Sequence, residues 1–419
     1  MALSSLFYSW RSYLNRYLLG SKEPVHHLIR DDAKTAEVPE GTPIVSVVGT
    51  GSEYPTTRMG PEILEVVALR HYPDNPAFQK TLEINARSRI EERFSAVPPE
   101  NPLWHQSTVP TIQECDELFK EFGVPLAEKA ARKAIAEWGC SPNEITHIVA
   151  VTCTNTSNPG FEYFLSRRLG LGKNVQRTLL HGVGCAGGVA ALRTANDLLL
   201  GAAAQGKPAR CLVVACETPS VFIRRELDDL VKEQRPNVGL TLFGDCASAL
   251  VLSNGLGVIG SERAPLWKIL NCLTTQIPGS AGCLEYNIGP SGYLAVISKD
   301  VPKHIQSSLA SGFKELISST PSLRDSKSNF DPTVYDWALH PGGYGIILLA
   351  QQVLGLTMHH LRKSYEVYTK RGNSSSATVL SIMHKLANER GTSEPARDKM
   401  IAAAFGPGIT MELVVMAKA

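Results

Sequence analysis

The sequence lacks any uninterrupted apolar run of about 18 residues, the least a membrane-spanning helix needs, so no span is expected. It has no block of roughly five like charges, and the formal net charge is only +2. That excludes the basic field by which a protein holds nucleic acid. There is no CxxC pair and no HExxH, which removes the common zinc signatures. The adjacent pairs His26-His27 and His359-His360 cannot both face one metal from a helix, so no metal is expected. The nine cysteines are odd in number, and several lie in apolar runs such as CLVVAC (211–216). A disulfide framework is not expected, and a reducing, cytoplasmic compartment suits this usage. What remains is an ordinary globular composition, 43% hydrophobic and 20% charged, on 419 residues. That is room for one large α/β body or two domains.

Residues 1–42 read as an extension. Leu3, Leu6, Phe7, Trp10, Tyr13, Leu14, Tyr17 and Leu18 recur at helical spacing, and the first acid is Glu23. Three readings fit residues 1–20: an amphipathic helix docked on the body or a partner, a helix in weak contact with a membrane surface, or a cleaved targeting peptide. Polar residues 20–42 form a tether. The body starts at the strand PIVSVVGTG (43–51), and helices are predicted near 60–70 and 76–93. Strands at 145–153, 178–183, 211–217 and 242–253 alternate with helices at 161–172 and 186–206. Such alternation implies a layered α/β fold. Two segment pairs repeat in the same order. VAVTCTNTSNPGFEYFLSRRLGL (149–171) matches YDWALHPGGYGIILLAQQVLGL (335–356), and LFGDCASALVL (242–252) matches AAFGPGITMELVV (403–415). Duplication explains both, with halves at 43–262 and 263–419.

The strongest chemical signal is HGVGCAGGVAAL (181–192), which puts Cys185 where a strand gives way to a long helix. Unpaired N–H groups and the positive dipole end there favour the thiolate, the nucleophilic form. Gly182, Gly184 and Gly187 also fit GxGxxG. A dinucleotide site would want an acid about 20 residues on, and the residues near 207 supply none. LHPGGYG (339–345) sets His340 at a strand tip, exposed, and RGNSSSATVL (371–380) sets Asn373 at a helix start. Taken singly, these would be a loop histidine and a helix cap. Together with Cys185 they supply donors to an oxyanion and a partner for the thiol.

GCAGG around Cys185, HPGG at His340, GNSSSAT at Asn373, FGPG at 405–408 and FGD at 243–245 together resemble the type III polyketide synthases, relatives of chalcone synthase. The resemblance spans about 43–419 and implies the thiolase fold, a duplicated five-layer αβαβα α/β body, acting as a homodimer. It implies that Cys185 carries the acyl chain and that His340 and Asn373 hold the malonyl-CoA carbonyl during loss of CO2. Phe243 would orient the malonyl group. Phe405, Gly406, Pro407 and Gly408 would shape the cavity wall, with Ala404 where many relatives have glycine. Lys80 and Arg87 fall at CoA-binding positions, while the basic position between them is Glu83 here. Ala295 replaces a gatekeeping phenylalanine of plant enzymes, and Cys153, Asn155 and Ser220 fall near other pocket positions. The TNTSNPG loop (154–160) would reach the dimer interface. CETPSVF (216–222) departs from the plant pattern, which with the extension suggests a fungal or microbial member.

The implied activity is iterative decarboxylative condensation of malonyl-CoA onto a fatty acyl-CoA. The products would be alkylpyrones or alkylresorcinol and resorcylic acid types. CoA thioesters would be the only small-molecule partners, with no metal or redox cofactor. The alternatives are a priming ketoacyl synthase of fatty-acid synthesis, acting on a carrier protein, and a non-catalytic thiolase-fold acyl-binding protein. GNSSSAT argues against the first and the intact Cys-His-Asn set against the second.

Overall fold

The computed structural model describes residues 43–73, 75–389 and 396–419. The predicted helix at 1–20 and the tether at 20–42 lie outside the described residues. Among the described residues thirteen strands run in chain order: β1 (Ser46–Glu53), β2 (Thr57–Met59), β3 (Arg93–Ser95), β4 (His147–Val151), β5 (Gln176–Leu180), β6 (Arg210–Glu217), β7 (Cys246–Ser253), β8 (Trp267–Gln276), β9 (Leu284–Gly289), β10 (Gly292–Ile297), β11 (Asp336–Leu339), β12 (Lys399–Gly406) and β13 (Thr410–Lys418). β2 pairs only with β3, and β9 only with β10.

The other nine form one sheet in the order β11-β12-β13-β8-β1-β7-β6-β4-β5. Outward from the β1–β8 seam its two sides repeat. β1, β7, β6 and β4 run one way, and β8, β13, β12 and β11 the other, each side ending in a parallel pair after antiparallel ones. The seam is short: Ser46 faces Lys268 and Val47 faces Trp267. The repeat legible in the sequence takes the same form twice. β4 leads to the helix Phe161–Leu169, closed by left-handed Gly170, and β11 leads to Tyr344–Leu354, closed by left-handed Gly355. Glycine accepts that backbone without a Cβ clash.

Five layers result. Helices Val124–Trp138 and Phe161–Leu169 cover one outer face, and Val301–Ser318 and Tyr344–Leu354 the other. Helices Gly187–Ala204 and Ser376–Ala387 lie between the two sides of the sheet, and each touches strands of both. A helix covered on two faces cannot be amphipathic in the usual sense. Both are accordingly mostly buried, the first rich in Ala, Gly and Leu and the second in small and aliphatic residues. The helix expected to run from 76 to 93 stops at Arg87. Arg89 turns left-handed (φ 65°) and Arg93 is buried, donating to the Leu240 carbonyl at 2.6 Å.

Candidate active site

Cys185 sits in the turn between β5 and the helix Gly187–Ala204. Asn373 sits just before the helix Ser376–Ala387, and His340 follows β11. The two helices start together, since a Cβ on Gly188 would lie 2.3 Å from the Ser376 carbonyl oxygen. Their positive dipole ends therefore converge on one place. The Phe243 segment is tied to the same point: Asn373 N donates to the Leu242 carbonyl at 2.9 Å and Gly244 N to the Asn373 carbonyl at 3.0 Å.

Cys185, His340, Asn373, Phe243 and Phe405 line one cavity of about 550 Å³. Arg87 and Lys299 line it too, and both are exposed, which marks the mouth. Neither forms a hydrogen bond or ion pair with another side chain among the described residues. The Asn373 amide is fixed, because its Oδ1 accepts the Ser375 N–H at 2.8 Å. Its Nδ2 has only a long contact, 3.4 Å, to the Gly342 carbonyl. His340 is 1% exposed, and neither ring nitrogen has a hydrogen-bond partner among the described residues. The exposed strand-tip histidine expected from sequence is thus a buried one, its tip roofed by the cavity walls.

Burial sets the protonation states. It pushes the Cys185 thiol up to about 11, with a hydrogen bond from Ser375 working the other way and the Glu217 charge adding to the rise. It pulls the His340 imidazole down to about 4. Burial alone therefore disfavours both partners of a thiolate–imidazolium pair. The forces that favour the pair are its own attraction and the two helix ends.

A smaller cavity of about 30 Å³ adjoins the first, sharing Cys185, Phe243, Leu284 and Ile297. Cys153, Ala295 and Pro407 line it, as do Tyr286 and Ser375, for which sequence reasoning assigned no role. Cys153 Sγ lies 3.4 Å from Ser375 Oγ and 3.4 Å from Glu217 Oε2. Glu217 is fully buried, and Thr152, Thr154 and Ser376 donate to it. Burial raises its pKa.

Five candidates stand elsewhere. Lys80 pairs with Glu83 at 3.2 Å on the helix surface, so the acid at the departed position occupies it. Asn155 donates to Asp116 Oδ1 at 2.6 Å and lines a separate cavity beside that carboxylate. Ser220 donates to Asp245 Oδ2 at 2.6 Å, behind the wall. Gly406 and Gly408 line neither cavity. Gly406 packs where a Cβ would meet the Val183 carbonyl oxygen at 2.3 Å, and the Gly408 carbonyl accepts from Ser280. The sequence reading gave no role to Lys299, which opens the stretch KDVP (299–302).

Known proteins resemble this chain along most of its length. The family model for the N-terminal domain of chalcone and stilbene synthases matches residues 74–255, and that for the C-terminal domain matches 268–419. The acylalkylpyrone synthase csyB of Aspergillus oryzae is 48% identical over 92% of this chain and 96% of its own. The type III polyketide synthase pspB of Penicillium soppii is 38% identical over 89% and 96%. The crystal structure of CsyB complexed with CoA-SH superposes with a TM-score of 0.88 at 48% identity, over 90% of this chain and all of that one. A type III pentaketide synthase from Neurospora crassa gives 0.86 at 39%, with the same coverage. Among the described residues no group of three metal-ligating side chains occurs, and no helix is long and apolar enough to cross a membrane. The chain belongs to the chalcone and stilbene synthase family and is a type III polyketide synthase.

Proposed function

We propose that the protein extends a fatty acyl-CoA starter with malonyl-CoA units and releases an alkylpyrone. The observation that carries this is the single cavity in which Cys185, His340 and Asn373 meet below unpaired Arg87 and Lys299. The two cations suit the phosphates of CoA. Cys185 Sγ gives its proton to His340 and attacks the starter thioester carbonyl. The carbon–sulfur bond to CoA breaks, and the CoA thiolate leaves with the proton from His340. Malonyl-CoA then places its thioester oxygen between His340 and the Asn373 amide. Its carboxylate leaves as CO2, and the bonding electrons move onto that oxygen as an enolate. Two preorganised donors stabilise such charge without a metal or a strong base. The enolate carbon attacks the Cys185 thioester and the sulfur leaves as thiolate. That thiolate then attacks the CoA thioester of the extended chain, which returns the chain to Cys185 and releases CoA thiolate, protonated from solvent. In the last step an enol oxygen of the chain attacks the terminal thioester carbonyl and closes the pyrone ring, the carbon–sulfur bond breaks, and the sulfur leaves with the enol proton.

The room for a long acyl group is in the larger cavity, and Ala295 lines the smaller one beside it, which a bulkier side chain would close. The acylalkylpyrone relative favours the pyrone over the resorcinol outcome. We place the halves at 43–262 and 263–419, as the mirrored strand order and the two family models support. Loop 154–160 is our candidate for the homodimer contact, and nine free cysteines support a cytoplasmic setting. The test is purified protein with malonyl-CoA and an acyl-CoA panel, with CO2 and products read by mass. Cys185→Ala should end chain extension. Equal product yield from that variant would overturn the nucleophile.

A further inference from the structure

The β9–β10 hairpin stands apart from the main sheet, yet it supplies Tyr286 and Ala295 to the smaller cavity and Leu284 and Ile297 to both. A two-stranded hairpin is marginal by itself. Its tip is held by one backbone bond, from Ile112 N to the Pro290 carbonyl at 2.9 Å. Tyr286 and Tyr293 pack on Phe222, and one side chain fixes the position of its wall-forming backbone. The Ala295 N–H donates to Glu226 Oε1 at 3.0 Å, and among the described residues no other side chain bonds the hairpin backbone to the body.

We propose that Glu226 is a positioning residue that fixes the preferred starter length by holding β10, and with it Ala295, against the turn that carries Phe243. Its second oxygen, Oε2, accepts from Asn237 Nδ2. Asn237 in turn ties down two more walls. Its N–H donates to Thr81 Oγ1 at 3.2 Å, on the helix that ends at Arg87, and its Oδ1 accepts from Leu240 N at 3.3 Å, in the turn before Phe243. The turn and the strand touch: a Cβ on Gly239 would lie 3.3 Å from the Ala295 Cβ and 3.5 Å from Glu226 Oε1. One carboxylate therefore joins the mouth helix, the Phe243 turn and the hairpin.

Glu226 is 6% exposed and forms no ion pair among the described residues. Burying a carboxylate without a cation is costly, and an apolar residue would fill the space better. A group kept under that penalty is explained by what its oxygens hold. Burial pushes its pKa up to about 7. The charged and titratable groups near it are Arg225 and Asp229 on its own helix and Tyr286 on β9.

The inference rests on the reading that the Ala295 wall limits the acyl chain. Three variants test it by the ratio of kcat/KM for dodecanoyl-CoA to that for hexanoyl-CoA. Glu226→Leu removes the acceptor, and Glu226→Asp draws it back by one methylene. Each should change the ratio about three- to ten-fold, the worth of one buried hydrogen bond. Glu226→Gln keeps an oxygen for the Ala295 N–H but sets its amide NH2 against Asn237 Nδ2, so it should move the ratio less than Glu226→Leu does. Malonyl-CoA decarboxylation and thermal melting report the fold. Folded Leu and Asp variants with the wild-type ratio overturn the proposal, as does a Gln variant that moves the ratio as far as the Leu variant does. Ala295→Phe separates the two ideas. If it moves the ratio while the Glu226 variants do not, the wall reading stands and the role of Glu226 falls. If nothing moves the ratio, both fall.

Discussion

Gly188→Ala should leave the protein folded and nearly stop its chemistry. Gly188 is the second residue of the helix that follows Cys185, and an added Cβ would meet the Ser376 carbonyl oxygen at 2.3 Å. Carbon–oxygen contacts of this kind settle at 3 Å or more, so the two helix ends must part by nearly an ångström. Overpacking costs about 1–3 kcal/mol. Replacing a helical glycine by alanine returns about 1 kcal/mol. The net change in stability is small, at most about 2 kcal/mol. The catalytic effect is not, because a 1 Å misplacement of reacting groups costs about 10²-fold in rate. Cys185 travels with one helix end and Asn373 with the other. The control is Gly201→Ala on the same helix, where an added Cβ meets nothing within 4 Å. It should raise stability by up to about 1 kcal/mol and leave kcat unchanged. The assay is CO2 release from malonyl-CoA beside thermal melting of all three proteins. A Gly188→Ala enzyme with wild-type kcat would refute the idea that the helix contact sets the site's geometry.

Further outcomes follow from the site. His340→Ala should raise the pH at which iodoacetamide labels Cys185, towards the value of about 11 that burial imposes, because the imidazolium no longer stabilises the thiolate; mass spectrometry of the labelled peptide across pH checks this. Asn373→Ala should lower decarboxylation about 10²–10³-fold, as expected for loss of an oxyanion donor, with starter loading onto Cys185 retained. Arg87→Glu and Lys299→Glu should each raise KM for CoA thioesters, less so at high salt, while Lys80→Ala leaves it unchanged. Ala295→Phe should shift the product profile towards shorter starters, read by mass from a mixed acyl-CoA pool.

The three central residues were legible because each stands at a local event that sequence records, a strand tip or a helix start marked by glycine. The duplication was legible for the same reason, since strand, turn and helix follow one another in fixed order. What escaped was side-chain company across the fold. Glu226 meets Ala295 over 69 positions and Ser376 meets Glu217 over 159, and no local pattern encodes either. Asn155 and Ser220 were misread because backbone placement near the pocket does not decide where a polar side chain points. Asp116 and Asp245 took them instead. His340 was read as exposed because a strand tip says nothing of the walls that later close over it.

The meeting of the two central helices has a consequence for how the enzyme can change over time. Residue 188 lies on the helix that follows β5 and residue 376 on the helix that precedes β12, yet the space between them is shared. A side chain gained on one must be matched by retreat on the other. Drift at this junction therefore has to come in compensating pairs, even though the two positions stand far apart along the chain.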